Sequence, residues 1–107
     1  MISVIIPYFN SQDTLPDTLA SLNWQTYKDF EVILVDDGSE RGLTYDDIGE
    51  YNFREQIIRL PKNKGAGAAI NAGIQTAKGE SIFCLDSDDI LIPTALERLK
   101  SKVGQVV

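Results

Sequence analysis

Two kinds of hydrophobic spacing alternate along the chain. Ile2 to Ile6 (I-S-V-I-I), Phe30 to Val35 (F-E-V-I-L-V), Gln56 to Leu60 (Q-I-I-R-L) and Ser81 to Leu85 (S-I-F-C-L) are short and rich in β-branched residues. Such runs predict strands, and the lack of strict alternation predicts burial on both faces. Turn formers close each run: Pro7, then Asp36-Asp37-Gly38-Ser39, then Pro61, then Asp86-Ser87-Asp88-Asp89. Between the runs the period becomes helical. Leu15, Leu19 and Leu22 share one helix face, with Thr14 as the expected N-cap and Pro16 in the first turn, where its missing N–H costs little. A short helix is expected over Thr44 to Tyr51, carrying Ile48. Ala66, Ile70, Ile74 and Ala77 form a further stripe, with Gly79 as its expected C-terminal stop. Ile92, Leu96, Leu99 and Val103 form the last, opened by Pro93 and ending near Gly104.

Strands that alternate with helices build a parallel sheet by crossover connections. The predicted fold class is therefore α/β, a three-layer α/β/α sandwich around a Rossmann-like, mostly parallel sheet. Pro7 and Asp37 are thirty residues apart, the length of one βαβ unit. With 107 residues there is room for a single domain, residues 1–107, and one core.

Composition narrows the chemistry. Sixteen acidic residues against ten basic ones give a net charge of -6. That argues against nucleic acid as a partner and against a polybasic membrane-surface protein. No histidine is present, so histidine-based catalysis and histidine-ligated metals are excluded. The single cysteine, Cys84, forms no internal disulfide and is expected to be a buried, inert thiol within its strand. Trp24 and Tyr27 are expected to pack in the core or at its edge. No run is long enough for a transmembrane segment and the N-terminus lacks signal-peptide character, so the expected location is the cytoplasm or the inner face of the membrane.

Carboxylates are what remain for metal chemistry, and they favour hard ions. In an open α/β sheet, ligands bind beyond the carboxyl ends of the strands. Here those ends read Pro7-Tyr8-Phe9-Asn10, Asp36-Asp37-Gly38-Ser39 and Asp86-Ser87-Asp88-Asp89. Gathered on one rim, five carboxylates repel and raise one another's pKa values, a cost that a divalent cation removes. An ion in turn suits an anionic ligand such as a diphosphate. Each acidic run alone also reads as a solvated turn; both together, each directly after a strand, favour function. Asn63-Lys64-Gly65-Ala66-Gly67-Ala68-Ala69-Ile70-Asn71-Ala72-Gly73 follows the third strand. It lacks the third glycine of G-x-G-x-x-G and the Gly-Lys-Ser/Thr of a phosphate loop. Its small residues serve either close helix–sheet packing or a phosphate at the helix N-terminus, with Lys62 and Lys64 nearby.

Four segments in this order, V-I-I-P-Y-F-N, F-E-V-I-L-V-D-D-G-S, N-K-G-A-G-A-A-I-N-A-G-I-Q-T-A-K-G-E and I-F-C-L-D-S-D-D, resemble the N-terminal part of family 2 glycosyltransferases of GT-A fold. The likeness runs from Ile2 to about Leu99. It implies a nucleotide-diphospho-sugar donor of UDP or GDP type, a divalent metal, Mg²⁺ or Mn²⁺, and inverting transfer to a sugar, polysaccharide or lipid-linked acceptor. By position, Pro7 and Phe9 would border the nucleobase. Asp36 or Asp37 would hydrogen-bond the base or ribose, Asp86 would lie by the ribose or diphosphate, and Asp88 would bind the metal. Asn71 stands where relatives often read Arg-Asn, with Ile70 in place of the arginine.

The family's general base lies well after the D-x-D segment, and no residue here matches it, so the catalytic residue stays unassigned. The resemblance therefore implies the nucleotide-sugar-binding half of a transferase, truncated before the acceptor half. The alternative is a non-catalytic interaction module that self-associates into a homo-oligomer through apolar surface left exposed. A phosphoacceptor receiver domain is disfavoured, because its acidic pair follows strand one and here the pair follows strand two.

Overall fold

The computed structural model describes residues 1–103. The elements run β1 (Ile2–Tyr8), α1 (Leu15–Asn23), β2 (Phe30–Asp36), α2 (Tyr45–Ile48), β3 (Arg54–Arg59), α3 (Ala66–Thr76), β4 (Ser81–Cys84) and α4 (Ala95–Val103). The four strands form one parallel sheet in the order β3-β2-β1-β4. The chain steps outward from β1 through β2 to β3. It then returns through α3 to place β4 on the free side of β1. The strand order therefore reverses between β1 and β4.

Two cores flank the sheet, as a three-layer sandwich requires. On one face Ile2, Val4 and Ile6 of β1 and Val32 and Leu34 of β2 pack with Leu15, Leu19 and Leu22 of α1, Ile48 of α2 and Leu96 of α4. On the other, Ile5, Ile33 and Val35 meet Ala69 and Ala72 of α3. β1 and β2 lie inside this arrangement and are buried nearly throughout, whereas β3 and β4 are edges with exposed positions. No helix among the described residues is long and apolar enough to cross a membrane.

Several expectations are corrected. β1 does not stop at Pro7 but runs to Tyr8, with Pro7 in register with Val35. Ile5 accepts a hydrogen bond from Leu85 of the β4 side, and Tyr8 accepts one from Asp37 of the β2 side. Odd positions of β1 thus face β4, which has left the ladder after Cys84, so the absent N–H of Pro7 deprives no partner. On α3 the buried face is Ala69 and Gly73, not the Ala66–Ile70–Ile74–Ala77 stripe, and Ile74 is exposed. A Cβ on Gly73 would stand 2.6 Å from Ile5 Cγ2, so the smallest residues decide the contact and the isoleucines flank it.

Gly79 is not a helix cap: α3 ends at Thr76 with Ala77 extended. Gly79 is small because a Cβ there would meet Met1 O at 2.6 Å and Ser3 Oγ at 2.7 Å. Ile92 lies before α4 and is exposed, while Leu96 is fully buried. The helix end expected near Gly104, and the side chain of Val103, lie outside the described residues. Thr14 precedes α1 but makes no side-chain cap; its hydroxyl turns to Ser87 instead. α2 does carry a capping box, in which Thr44 and Asp47 bond each other reciprocally.

Cys84 is exposed rather than buried. It faces the α3 side of β4, and α3 packs over β1 and β2 without covering that edge. Trp24 follows α1 at its C-cap and is 73% exposed, so it is not a core residue, whereas Tyr27 packs at the core's edge.

Candidate functional site

The divergence of β1 and β4 opens a cleft of about 630 Å³ at the carboxyl end of the sheet. Its walls come from four segments. Pro7 to Ser11, Asp13 and Thr14 form the β1–α1 wall, and Asp86, Ser87 and Asp88 form the opposite one. Asp37 stands at the end of β2, and Asn63, Gly65 and Ala66 lead into α3. This is the switch point at which open α/β sheets bind ligands. The sheet thus brings together Pro7, Phe9, Asp37, Asp86 and Asp88. Phe9 is half exposed with its ring available to a ligand.

Asp36 and Asn71 are not among the lining residues. Strand alternation sends Asp36 and Asp37 to opposite faces. Asp36 is fully buried on the α1 side, where Oδ1 accepts the Ser39 amide (3.0 Å) and Oδ2 accepts the Leu43 amide and Arg59 Nη1 (both 2.8 Å). Burial pushes its pKa up, but the Leu43 and Ser39 hydrogen bonds and the Arg59 guanidinium outweigh it and hold the carboxyl below its ordinary value. The mutual raising of pKa expected along the rim is therefore reversed at this position. Asn71 is exposed on α3, beyond the turn that borders the cleft.

Asp37 has its own structural task. Its oxygens accept the Lys64 amide (2.8 Å) and the Gly65 amide (2.9 Å), directly before α3. A carboxylate thus takes the amides at the approach to α3 that a phosphate would otherwise use. Lys62 and Lys64 are exposed and absent from the cleft lining. The turn is tight: Gly38 has φ +73°, and a Cβ there would collide with the backbone of Lys62 and Asn63. Two hydrogen bonds missed in the sequence join the β1–α1 wall to the turn after β2. The Asn10 amide donates to Ser39 Oγ (2.9 Å), and the Glu40 amide donates to Asn10 Oδ1 (3.2 Å). Asn10 holds φ +50° to make it, a conformation asparagine tolerates better than most residues.

Among the described residues, the cleft is lined by four carboxylates, Asp13, Asp37, Asp86 and Asp88, and by no lysine or arginine. Asp86, Asp88 and Asp89 can each offer an oxygen within 4.8 Å of the others; all three are exposed, and Asp86 and Asp88 also line the cleft. Asp13 and Ser11 were not singled out from the sequence, and Asn63 was named only as the start of the small-residue segment. Asp13 carried a signal, as a further acid in the loop after a strand.

Residues 3–105 match the family model described as Glycosyl transferase family 2. The chain belongs to that family. An uncharacterized glycosyltransferase of Haemophilus influenzae is 36% identical over 98% of the chain and 35% of its own length. Staphylococcus aureus TarP, a poly(ribitol-phosphate) β-N-acetylglucosaminyltransferase, is 41% identical over 92% of the chain and 31% of its own length. Among solved structures, S. aureus TarS 1-349 in complex with UDP-GlcNAc superimposes with a TM-score of 0.86 at 29% identity, covering 97% of the chain and 31% of that protein. The fold is thus that of the GT-A glycosyltransferases. The chain spans about a third of the length of these curated relatives.

Proposed function

We propose that this chain is the donor-binding part of an inverting glycosyltransferase that takes a UDP-linked sugar together with Mg²⁺ or Mn²⁺. The observation that carries the reading is the charge of the cleft: it sits at the switch point, presents four carboxylates and, among the described residues, has no basic one in its lining. Alone, such a surface repels a diphosphate. With a divalent ion held by Asp88 and its neighbours Asp86 and Asp89, it attracts one. The donor set fits: three carboxylates in reach of one another are hard oxygen ligands, the chemistry that Mg²⁺ and Mn²⁺ prefer. When bound, the ion would neutralise the diphosphate leaving group. The structural neighbour TarS is known in complex with UDP and with UDP-GlcNAc, which supports uridine as the base.

In this reading Pro7 and Phe9 border the base, Phe9 offering its ring face. Asp37, which lines the cleft, takes the ribose or base contact in preference to Asp36, which is enclosed on the α1 side and absent from the lining. Asp86 lies by the ribose and diphosphate. The carboxylate that deprotonates the acceptor is not assigned to any residue of this chain, and the acceptor is a sugar, polysaccharide or lipid-linked sugar. Isothermal calorimetry tests the reading: UDP is expected to bind with Mn²⁺ present and to lose that binding when EDTA is added. Equal affinity with and without metal, or no binding of UDP or GDP at all, would refute it.

A second reading is favoured by one surface. Ile82 and Cys84 are exposed on the edge strand β4, and Ile74 is exposed on α3. Self-association through this margin is separated from donor binding by light scattering: a stable dimer that binds no nucleotide supports it, and a nucleotide-binding monomer overturns it.

A further inference from the structure

The turn that carries Asp86 and Asp88 is held by α1 rather than by its own strand. β4 ends at Cys84, and residues 85–94 form neither helix nor strand. A segment of this kind needs partners for its backbone groups. They come from a polar stripe on α1 and its flanks, Thr14, Thr18, Ser21 and Gln25, spaced by four, three and four residues. Thr14 Oγ1 (2.9 Å) and Thr18 Oγ1 (3.0 Å) both donate to the Ser87 carbonyl. Ser21 Oγ accepts the Leu91 amide (3.1 Å). Gln25 Nε2 donates to the Ile92 carbonyl (2.8 Å) while its Oε1 accepts the Leu96 amide (3.0 Å).

Thr18 and Gln25 are fully buried. Buried hydroxyls on a helix usually return to their own backbone. Thr18 does so only at 3.4 Å, and its shorter bond crosses to Ser87. Ser87 is itself buried, between two exposed aspartates that line the cleft. The carbonyl that receives two hydroxyls is thus the pivot of the acidic turn, and the Asp89 amide closes that turn onto the Asp86 carbonyl (3.1 Å).

We propose that Thr18 is a positioning residue for the acidic turn: with Thr14 it pins the Ser87 carbonyl and so sets where Asp86 and Asp88 stand at the cleft. Thr18 does not line the cleft, so it acts only through Ser87. The binding consequence rests on the donor reading above, whereas the pinning itself does not.

The test replaces the hydroxyl by a methyl of the same shape, Thr18→Val, and restores it in Thr18→Ser. Thr18→Val is expected to lower Mn²⁺-dependent UDP affinity by about fivefold, the effect of one neutral hydrogen bond. Uridine affinity without metal should be unchanged, and exchange of the Asp89 amide should speed up by a similar factor. Thr18→Ser should return all three to the wild-type values. Equal losses for uridine and for UDP with Mn²⁺, or unaltered binding in folded Thr18→Val, would overturn the proposal. Wild-type protein that binds no UDP refutes the donor reading alone, and the pinning then stands or falls on the Asp89 exchange rate. If Thr18→Val does not fold, Ser21→Ala takes its place: faster exchange at Leu91 and weaker Mn²⁺-dependent UDP binding support the stripe's role, and no change in either overturns it.

Discussion

Asp88→Ala is expected to lower the affinity for UDP in the presence of Mn²⁺ by about 100-fold or more while leaving the melting temperature of the metal-free protein unchanged or slightly raised. Groups that merely orient metal ligands cost about 10–100-fold when removed, and a direct ligand should reach at least the upper end of that range. The two halves of the prediction have opposite physical origins. Asp88 is exposed and makes no hydrogen bond or ion pair within the described residues, so its removal strips nothing from the fold. Without an ion it stands near Asp86 and Asp89, and removing one of three like charges relieves repulsion. With an ion it supplies one of the oxygens that hold it. Calorimetry with and without Mn²⁺, beside thermal denaturation in EDTA, separates the two. A variant that keeps wild-type Mn²⁺-dependent affinity would show that no ion is held by this residue, and the proposed donor site would lose its main support.

The acidic rim was legible because strand ends are punctuated in the sequence. Two of the four runs, Phe30 to Val35 and Ser81 to Leu85, stop at a cluster of aspartates, and a parallel sheet must carry such clusters to one edge. What the rim reading could not separate was Asp36 from Asp37. They are chemically identical, yet one step along a strand reverses the face, and the two faces meet different neighbours. One carboxylate is enclosed by Leu43, Ser39 and Arg59, and the other caps the approach to α3 beside the cleft. Knowing which face belongs to α1 requires the topology, not the spacing.

The buried strands β1 and β2 were legible for a similar reason, since a run without alternation has no solvent face. The edges were harder. Cys84 sits in as apolar a run as Val32 but on a strand with one neighbour, which is a property of strand order. On α3 the apolar spacing of Ala66, Ile70, Ile74 and Ala77 does not mark the face that the sheet covers. The helix approaches the sheet most closely where Gly73 and Ala69 stand, and its isoleucines are displaced to the flanks. The polar stripe Thr14-Thr18-Ser21-Gln25 was present in the sequence at helical spacing beside the leucines. Only the path of residues 85–94 shows what it serves.

Asp36→Asn is expected to destabilise the fold by about 3 kcal/mol, which lowers the melting temperature of a domain of this size by roughly 10–20 °C. The amide can present an oxygen at only one of the two carboxylate positions. If it replaces Oδ2, its NH₂ group faces the Ser39 amide, donor against donor; if it replaces Oδ1, it faces both the Leu43 amide and Arg59. Either orientation leaves buried donors unpaired and removes the charge opposite Arg59, whose other arm holds the Ser39 carbonyl. The β2–α2 connection and the turn leading to Asp37 would loosen together.

The pH dependence gives the sign of the effect. Asp36 is held below the ordinary aspartate value of 3.8. Glu31, where burial is outweighed by Ser3 and the Lys78 amide, is held below the ordinary glutamate value of 4.5. The unfolded chain therefore binds more protons than the folded one in this range, so stability rises with pH. The contribution is complete above about pH 5 and is lost as pH falls through 4 and below. Glu55, raised by burial, works weakly in the opposite direction. Thermal denaturation followed by circular dichroism between pH 7 and pH 3 should show the wild-type protein losing stability on the acid side more steeply than Asp36→Asn, so that the gap between the two narrows as the wild-type carboxylate takes up its proton. A gap that stays constant across this range would mean that the shape of residue 36, and not its charge, supports the connection.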